Sequence, residues 1–303
     1  QISPIGAKDS VIPFSTLFTG MVLINVYYWC TNQAIVQRTF GAKSLKEGQK
    51  GVMAAAFLKL LGPLYLVLPG IIALEMFGGD LGNGDSAYPR LVAAVLPPYF
   101  AGLFGAVMFG AILSSFNSAL HSCSTLFGLD IYKGLINPQA DGRRVVWVGK
   151  MFGIALAIFA MLLAPVIANA PDGLFTLMKK LGAIFNIPIL AVIIMAMMNK
   201  STPAWAAKIS LFLGMATYCY FTWGMGETFF GIEMHWLHFA AINFVFLCLF
   251  MGIAGKLNPS SPMVTAAEGL TSGAPEWSAV RITSGIVVVA TLGLYIGLHV
   301  LGS

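Results

Sequence analysis

Long apolar runs separated by short polar segments dominate this chain. Eight runs approach the length of about 20 residues that a membrane-spanning helix needs. They lie at about residues 11–31, 51–76, 98–133, 146–168, 173–198, 205–225, 236–255 and 282–301. The runs are continuous rather than alternating, which favours helices over β-barrel strands. The third run is too long for a simple span, and we expect it to continue as a helix into the aqueous phase.

Composition agrees with a membrane protein. Of the 303 residues, 58% are hydrophobic and only 10% are charged, whereas about a quarter of a soluble domain is charged. A soluble fold and a disordered chain are therefore excluded. We expect a multi-pass protein of the cell membrane whose main surroundings are the lipid bilayer.

The net charge of +5 does not predict a nucleic-acid partner, because the positive side chains fall in short loops between spans. Alternate loops carry them, and the opposite loops carry most of the acidic residues. The basic set is Arg38, Lys43, Lys46, Lys50, Lys133, Arg143, Arg144, Lys150, Lys200, Lys208, Lys256 and Arg281. Because positive loops stay cytoplasmic, we expect the first span to run inward and the C-terminus to end outside.

Catalytic and metal patterns are not found in the sequence. The four cysteines lie in apolar runs without metal spacing, the four histidines are scattered, and no glycine-rich phosphate loop occurs. We therefore expect neither an enzyme nor direct coupling to ATP. The N-terminus has no signal-peptide pattern, and we expect the chain to be the C-terminal part of a larger protein. A loop rich in Ser, Pro, Gly and Thr is predicted at 258–276.

Two runs contain residues that interrupt helices. The first has Asn25, and the fifth has Gly182, Asn186 and Pro188. Transporters place their binding sites at broken helices, since unwound backbone is tolerated only where it lines a cavity. A harmless proline kink is the alternative.

Two groups of side chains suit a polar, ring-shaped solute. Asn25, Tyr28 and Trp29 combine an amide with aromatic faces, although an interfacial aromatic belt explains them as well. Lys59 lies about 8 residues into the second run, or about 12 Å along a helix. A lysine at that depth either faces a cavity or extends to the cytoplasmic headgroups.

A third group of side chains lies on one face of the third run. Ala111, Ser114 and Ser115 would place a carbonyl and two hydroxyls together, with Ser118, Ser122 and Thr125 further along. Neutral oxygens of this kind suit a sodium ion. From spacing alone, the simpler interpretation is that each hydroxyl bonds to its own helix or permits close helix packing.

At these positions the chain resembles the sodium/solute symporter family, which includes the sodium/glucose cotransporters. The likeness rests on NVYYWCTNQAIVQR (25–38), AK (42–43), FLKL (57–60), AILSSFNS (111–118), STLFGLDIYK (124–133) and PILAV (188–192), with a looser match at DSAYP (85–89). The resemblance implies an all-α membrane protein with the leucine-transporter-type inverted-repeat fold. Residues 1–198 would form the second five-helix repeat, and residues 199–303 three accessory transmembrane helices.

The resemblance also implies roles for single residues. The Ala111 carbonyl and the Ser114 and Ser115 hydroxyls match the family's sodium site. Asn25 and Lys59 match sugar-contacting positions. Tyr28 matches the aromatic residue that closes the substrate cavity on its cytoplasmic side, and Trp29 stands beside it.

One position departs from the family pattern. Sugar-transporting members have a glutamine where this chain has Lys179. A cation there would favour an anionic substrate, unless the side chain faces the outer vestibule and contacts no substrate. We therefore expect part of a sodium-coupled symporter for a sugar or polyol. A sugar acid or amino acid substrate remains an alternative, as does a transporter-like sensor domain.

Overall fold

The computed structural model describes residues 12–81, 84–168, 174–229, 231–259 and 276–302, and these are mostly helical. The helices are α1 (Gly20–Cys30), α2 (Gln33–Phe40), α3 (Leu45–Lys59), α4 (Leu68–Phe77), α5 (Ala87–Val95), α6 (Pro98–Leu126), α7 (Gly142–Ala168), α8 (Leu174–Met198), α9 (Ala204–Cys219), α10 (Trp236–Leu257) and α11 (Val280–Gly302). Short 3-10 helices cover Phe14–Phe18, Gly78–Leu81 and Gly84–Ser86, and π-helical turns cover Pro63–Val67, Phe127–Ile136 and Tyr220–Gly224. A small antiparallel hairpin pairs β1 (Thr228–Phe229) with β2 (Ile232–Glu233). Much of the predicted loop at 258–276 lies outside the described residues.

The helices confirm an all-α membrane protein. Within the described residues, five are long and apolar enough to cross a bilayer: Pro98–Ile136, Gly142–Pro165, Leu174–Met198, Trp236–Leu257 and Val280–Gly297. The α3 helix and the segment Pro63–Phe77 would add a sixth if they count as one span. The first and sixth predicted spans correspond to α1 and α9, which have only 11 and 16 residues. Eight spans therefore stay a prediction.

Local signals explain where several helices begin. The Ser44 hydroxyl accepts a hydrogen bond from the backbone N–H of Glu47 at 3.3 Å, and Glu47 lies in the first turn of α3. This is the arrangement expected from a Ser-x-x-Glu sequence. Asn32 caps α2 in the same manner by accepting from the N–H of Ala34. Pro98 occupies the first position of α6, where a missing N–H costs nothing.

Neither of the two predicted helix breaks occurs at its predicted residues. Helix α1 runs uninterrupted through Asn25, and the chain departs from helical geometry at Thr19 instead. Helix α8 is continuous through Gly182, Asn186 and Pro188. A proline removes one N–H from the helix ladder, and a membrane helix accommodates that loss when its neighbours pack around it.

A break that the apolar pattern did not predict interrupts the second run. Helix α3 ends at Lys59, with Leu60 as its C-cap, and helical structure resumes at Pro63. The sequence signal was Pro63, which has no N–H to donate to the carbonyl of Lys59 four residues earlier. Gly62 itself keeps helical geometry, with φ of −49° and ψ of −47°.

The chain divides into two compact units, the first of which combines Gln1–Leu60 with Phe175–Ser303. Its core joins α1, α8, α9 and α10 through nine buried residues: Ile24, Ala183, Ile187, Tyr218, Phe221, Trp236, Leu237, Phe239 and Ala240. The Phe221 and Phe239 rings stack at 3.8 Å within it. This core fixes α1 and α8 relative to each other, and both helices carry predicted substrate residues.

Polar contacts add to this first unit. Asn243, only 2% exposed, donates a hydrogen bond from Nδ2 to the carbonyl of Gly214 at 2.9 Å and accepts one from the Thr217 hydroxyl at 3.0 Å. These two hydrogen bonds join α10 to α9. His238 lies within hydrogen-bond distance of the hydroxyls of Thr19 and Ser15, at 3.0 and 3.1 Å, which holds the segment before α1 against α10.

The second unit covers Leu61–Leu174. Here α6 and α7 meet along a line of small residues, because a Cβ atom added at Gly149 would lie 2.9 Å from the Ser124 carbonyl oxygen. Close approach of this kind is typical of membrane helix pairs. The Phe127 and Phe152 rings stack beside it at 4.1 Å.

Candidate functional site

The structure brings together two of the predicted substrate residues. The Nζ atom of Lys59 lies 3.9 Å from the centre of the Trp29 ring. Such a position is favourable because the face of an indole is electron-rich, and the interaction is worth about 0.5–2 kcal/mol. Trp29 is near the end of α1 and Lys59 is the last residue of α3. The two helix ends therefore meet at this contact.

Aromatic surface continues from Trp29 to Tyr28. Their rings meet edge to face, with centroids 5.1 Å apart and an angle of 84° between the planes. Both side chains remain about two-fifths exposed, at 43% for Tyr28 and 42% for Trp29. Exposed aromatic faces of this kind stack well against the apolar face of a sugar ring.

Asn25 lies one helical turn before Trp29, which places it on the same side of α1. Its Nδ2 atom donates a hydrogen bond to the carbonyl of Met21 at 2.9 Å. This bond uses one of the two amide hydrogens. The second hydrogen and the amide oxygen stay available for a solute hydroxyl.

Lys179 comes from α8 and belongs to the same compact unit. Its Nζ atom lies 5.5 Å from the centre of the Phe175 ring, one turn earlier on the helix. This contact does not place Lys179 beside Lys59 or Trp29, so a shared site for the three residues stays a prediction.

The adjacent residue, Lys180, has a different environment. Its Nζ atom forms an ion pair with Glu227 at 2.6 Å, and the two side chains are only 16% and 28% exposed. Glu227 directly precedes strand β1 and has a φ of 62°. Sequence reasoning missed this pair. The sequence signal for this ion pair is weak. It shows only that adjacent residues on a helix point about 100° apart, so Lys179 and Lys180 face different surroundings.

The end of α3 partly compensates the charge of Lys59. The unsatisfied carbonyls at a helix C-terminus carry about half a negative elementary charge. Lys59 lies in that last turn. The helix end and the Trp29 ring therefore both stabilise the ammonium of Lys59, which is an exposed residue.

The predicted sodium ligands lie in the second unit, on the uninterrupted helix α6. Ala111, Ser114 and Ser115 are exposed there. Three hydroxyls further along the face bond to their own helix, as the simpler interpretation predicts. Ser118 donates to the carbonyl of Ser114, Ser122 to that of Ser118, and Thr125 to that of His121, at 2.9, 2.9 and 2.8 Å.

Ser114 and Ser115 differ from these three residues. Within the part of the chain that the structure describes, their hydroxyls form no hydrogen bond. They lie three and four positions after Ala111, so all three residues share one turn of the helix. These two hydroxyls remain available as sodium ligands, whereas Ser118, Ser122 and Thr125 are already used by the backbone.

Comparisons with known proteins identify one family. Residues 7–214 match the sodium:solute symporter family. The chain is 41% identical over 302 residues to an uncharacterised symporter, YidK, of Escherichia coli (strain K12), covering 100% of this chain and 52% of the relative. It is 30% identical over 301 residues to sodium/glucose cotransporter 4 of Danio rerio, covering 90% of this chain and 44% of the relative.

A further relative is sodium/myo-inositol cotransporter 2 of Rattus norvegicus, which is 33% identical over 223 residues. That match covers 68% of this chain and 33% of the relative. The chain thus spans about half the length of YidK and less of the two cotransporters. All three names describe membrane transporters rather than enzymes. The chain is a multi-pass membrane protein and belongs to the sodium:solute symporter family.

Proposed function

We propose that the chain forms part of a sodium-coupled symporter that imports a small polar solute of the sugar or polyol class. The contact between Lys59 and Trp29 carries this proposal, because it places a hydrogen-bond donor beside an exposed aromatic ring. Sugars need both features, since their rings have apolar faces and their edges carry hydroxyls. The family and the names of the cotransporter relatives support the same solute class.

Each residue then has a role in binding. Trp29 and Tyr28 stack on the ring, and Asn25 and Lys59 hydrogen-bond its hydroxyls. Lys179 reaches the same solute from α8. A sodium ion is the coupled substrate, and the Ala111 carbonyl with the Ser114 and Ser115 hydroxyls supplies part of its ligand set.

The proposed architecture is the leucine-transporter-type inverted-repeat fold. Residues 1–198 form the second repeat in this proposal, and residues 199–303 are accessory. Sodium binding favours an outward-open state, the solute follows, and rocking of one bundle exposes both to the cytoplasm. The interruption between Lys59 and Pro63 supports a site near the bilayer centre, where broken helices bind ligands.

Uptake by the full-length protein in proteoliposomes tests the proposal. An inward sodium gradient should drive accumulation of radiolabelled glucose, myo-inositol or a related sugar, and an equal potassium gradient should not. Labelled alanine tests the amino acid alternative. Equal uptake with both cations, or uptake of alanine alone, would overturn the proposed function.

A further inference from the structure

We propose that the N-terminal end of α7 binds the headgroup of an anionic phospholipid in an open groove of the second unit. The groove has a volume of about 390 Å³ and is lined by Gly142, Arg143, Val146, Trp147 and Lys150. We call these five residues the basic groove. Its volume is within the range of about 300–1,000 Å³ that small-molecule sites have. None of the five belongs to the proposed solute or sodium sites.

The charged and aromatic residues of the basic groove share one face of α7. Arg143, Trp147 and Lys150 follow each other at intervals of four and three positions, so their side chains lie in a row along the helix. Val145 and Gly149 lie on a different face, which packs against α6. Val145 is only 6% exposed, and a Cβ atom added at Gly149 would lie 2.9 Å from the α6 backbone. The packing of α7 on α6 therefore leaves the row exposed.

The row begins at the end of a helix that can cross a membrane. The segment Gly142–Pro165 is long and apolar enough to do so, and Arg143 is its second residue. Lys150 lies about 10 Å further along the helix axis. Because Cα–Cβ bonds tilt towards the helix N-terminus, the long side chain of Lys150 extends back towards Arg143. Both cations therefore reach the level at which lipid headgroups lie.

Charge complementarity identifies the occupant as an anion. In the described parts of the chain, neither Arg143 nor Lys150 forms an ion pair. The acidic residue nearest to them along the chain is Asp141, and its Oδ1 atom already accepts a hydrogen bond from the backbone N–H of Arg144 at 2.9 Å. A phosphate diester accepts hydrogen bonds from both cations, and the planar guanidinium of an arginine can donate two in parallel.

The apolar part of the basic groove favours a lipid over a free phosphate ion. Trp147 is 52% exposed and the adjacent Val146 is 58% exposed. The guanidinium carbon of Arg144 lies 5.0 Å from the centre of the Trp147 ring, which restricts the orientation of the ring. Tryptophan is typical of the bilayer interface, because its body meets acyl chains while its edge meets headgroups. A phospholipid supplies both the phosphate and the apolar chains that these residues can contact.

Native mass spectrometry of the full-length protein in detergent tests the proposal. The protein is titrated with dioleoyl phosphatidylglycerol or with dioleoyl phosphatidylcholine, which carries the same phosphate but no net charge. We expect phosphatidylglycerol to bind about tenfold more tightly or better, since its phosphate forms charged hydrogen bonds with no competing cation in the headgroup. Equal affinities for the two lipids would overturn the proposal.

Glycerol 3-phosphate distinguishes a lipid site from a site for soluble phosphate compounds. It carries a phosphate on the same glycerol but has no acyl chains. We expect it to leave phosphatidylglycerol bound when the two are present at equal concentrations. Displacement under those conditions would overturn the assignment to a lipid.

A charge-matched pair of variants localises the effect. Arg143→Gln combined with Lys150→Gln should lower the affinity for phosphatidylglycerol by about tenfold or more. Lys43→Gln combined with Lys46→Gln removes the same charge from another predicted cytoplasmic loop and should leave the affinity unchanged. All four side chains are exposed, so both proteins should fold, and thermal unfolding checks this. Equal losses in the two variants would indicate diffuse attraction to surface charge and would overturn the proposal. The comparison of the two lipids needs no variant and tests the proposal by itself.

Discussion

The ammonium of Lys59 lies over the face of Trp29, at 3.9 Å from the ring centre, so the two residues form one continuous surface, to which we propose that the solute binds. Lys59→Ala should therefore weaken solute binding by about ten- to hundredfold, because it removes a hydrogen bond worth about 1.5–3 kcal/mol. The measurement is equilibrium solute binding by full-length protein at saturating sodium.

Lys50→Ala is the matched control for that change. Lys50 lies on the same helix, but its partner is Glu47 at 2.8 Å and both side chains are about half exposed. Exposed pairs contribute little, so affinity should stay at the wild-type value. If a well-folded Lys59→Ala protein also binds normally, its ammonium serves only to reach the headgroups.

A second prediction concerns sodium. Ser115→Ala should raise the sodium concentration needed for half-maximal uptake, because it removes one neutral oxygen from a small ligand set. Ser118→Ala should not, because the Ser118 hydroxyl already donates to the Ser114 carbonyl. Uptake measured across a sodium titration checks both variants. Equal effects of the two substitutions would contradict the assignment.

Helix packing in the first unit gives a third prediction. A Cβ atom at Gly214 would lie 2.7 Å from Pro188 Cγ and 2.6 Å from Leu247 Cδ1. The proline ring cannot rotate away, so Gly214→Ala should destabilise the protein by about 1–3 kcal/mol. Gly252→Ala is the control, because its nearest neighbour, Met195 Cε, lies at an ordinary 3.7 Å. Thermal unfolding in detergent should show a lower Tm for the first variant only.

The fourth prediction concerns the bond between Asn243 and Thr217, which have a 3.0 Å oxygen–oxygen separation. Asn243→Leu should destabilise the α9–α10 contact by about 0.6–2 kcal/mol, as for other interhelical hydrogen bonds in membranes. Combining it with Thr217→Val gives a double-mutant cycle. A coupling energy of zero would show that the two side chains act independently.

The hydrophobic pattern predicted the long helices well, since membrane spans follow from the length of apolar runs. It predicted the continuation of the third run, which the structure extends to Ile136. The sequence pattern did not locate the helix interruptions correctly. Asn25 lies within α1, where its side chain donates to the Met21 carbonyl, and Pro188 lies within α8, where Gly214 packs closely against its ring.

The candidate site was predictable only in part. Resemblance pointed to Lys59 and Trp29, but no spacing rule indicates that residues 30 positions apart will meet. The sequence also treats Lys179 and Lys180 alike. Their difference arises from Glu227, which reaches Lys180 from a loop almost fifty residues later. Similarly, only the structure separates Ser114 and Ser115 from the hydroxyls that bond to their own backbone.

The ion pair between Lys180 and Glu227 also constrains motion. A contact of 2.6 Å does not survive a slide of α8 by one helical turn, which is about 5.4 Å. Helix α8 and the β-hairpin therefore either move together, or the ion pair breaks when they separate. Since Lys179 is the adjacent residue on α8, a spectroscopic label on the hairpin would report the position of Lys179.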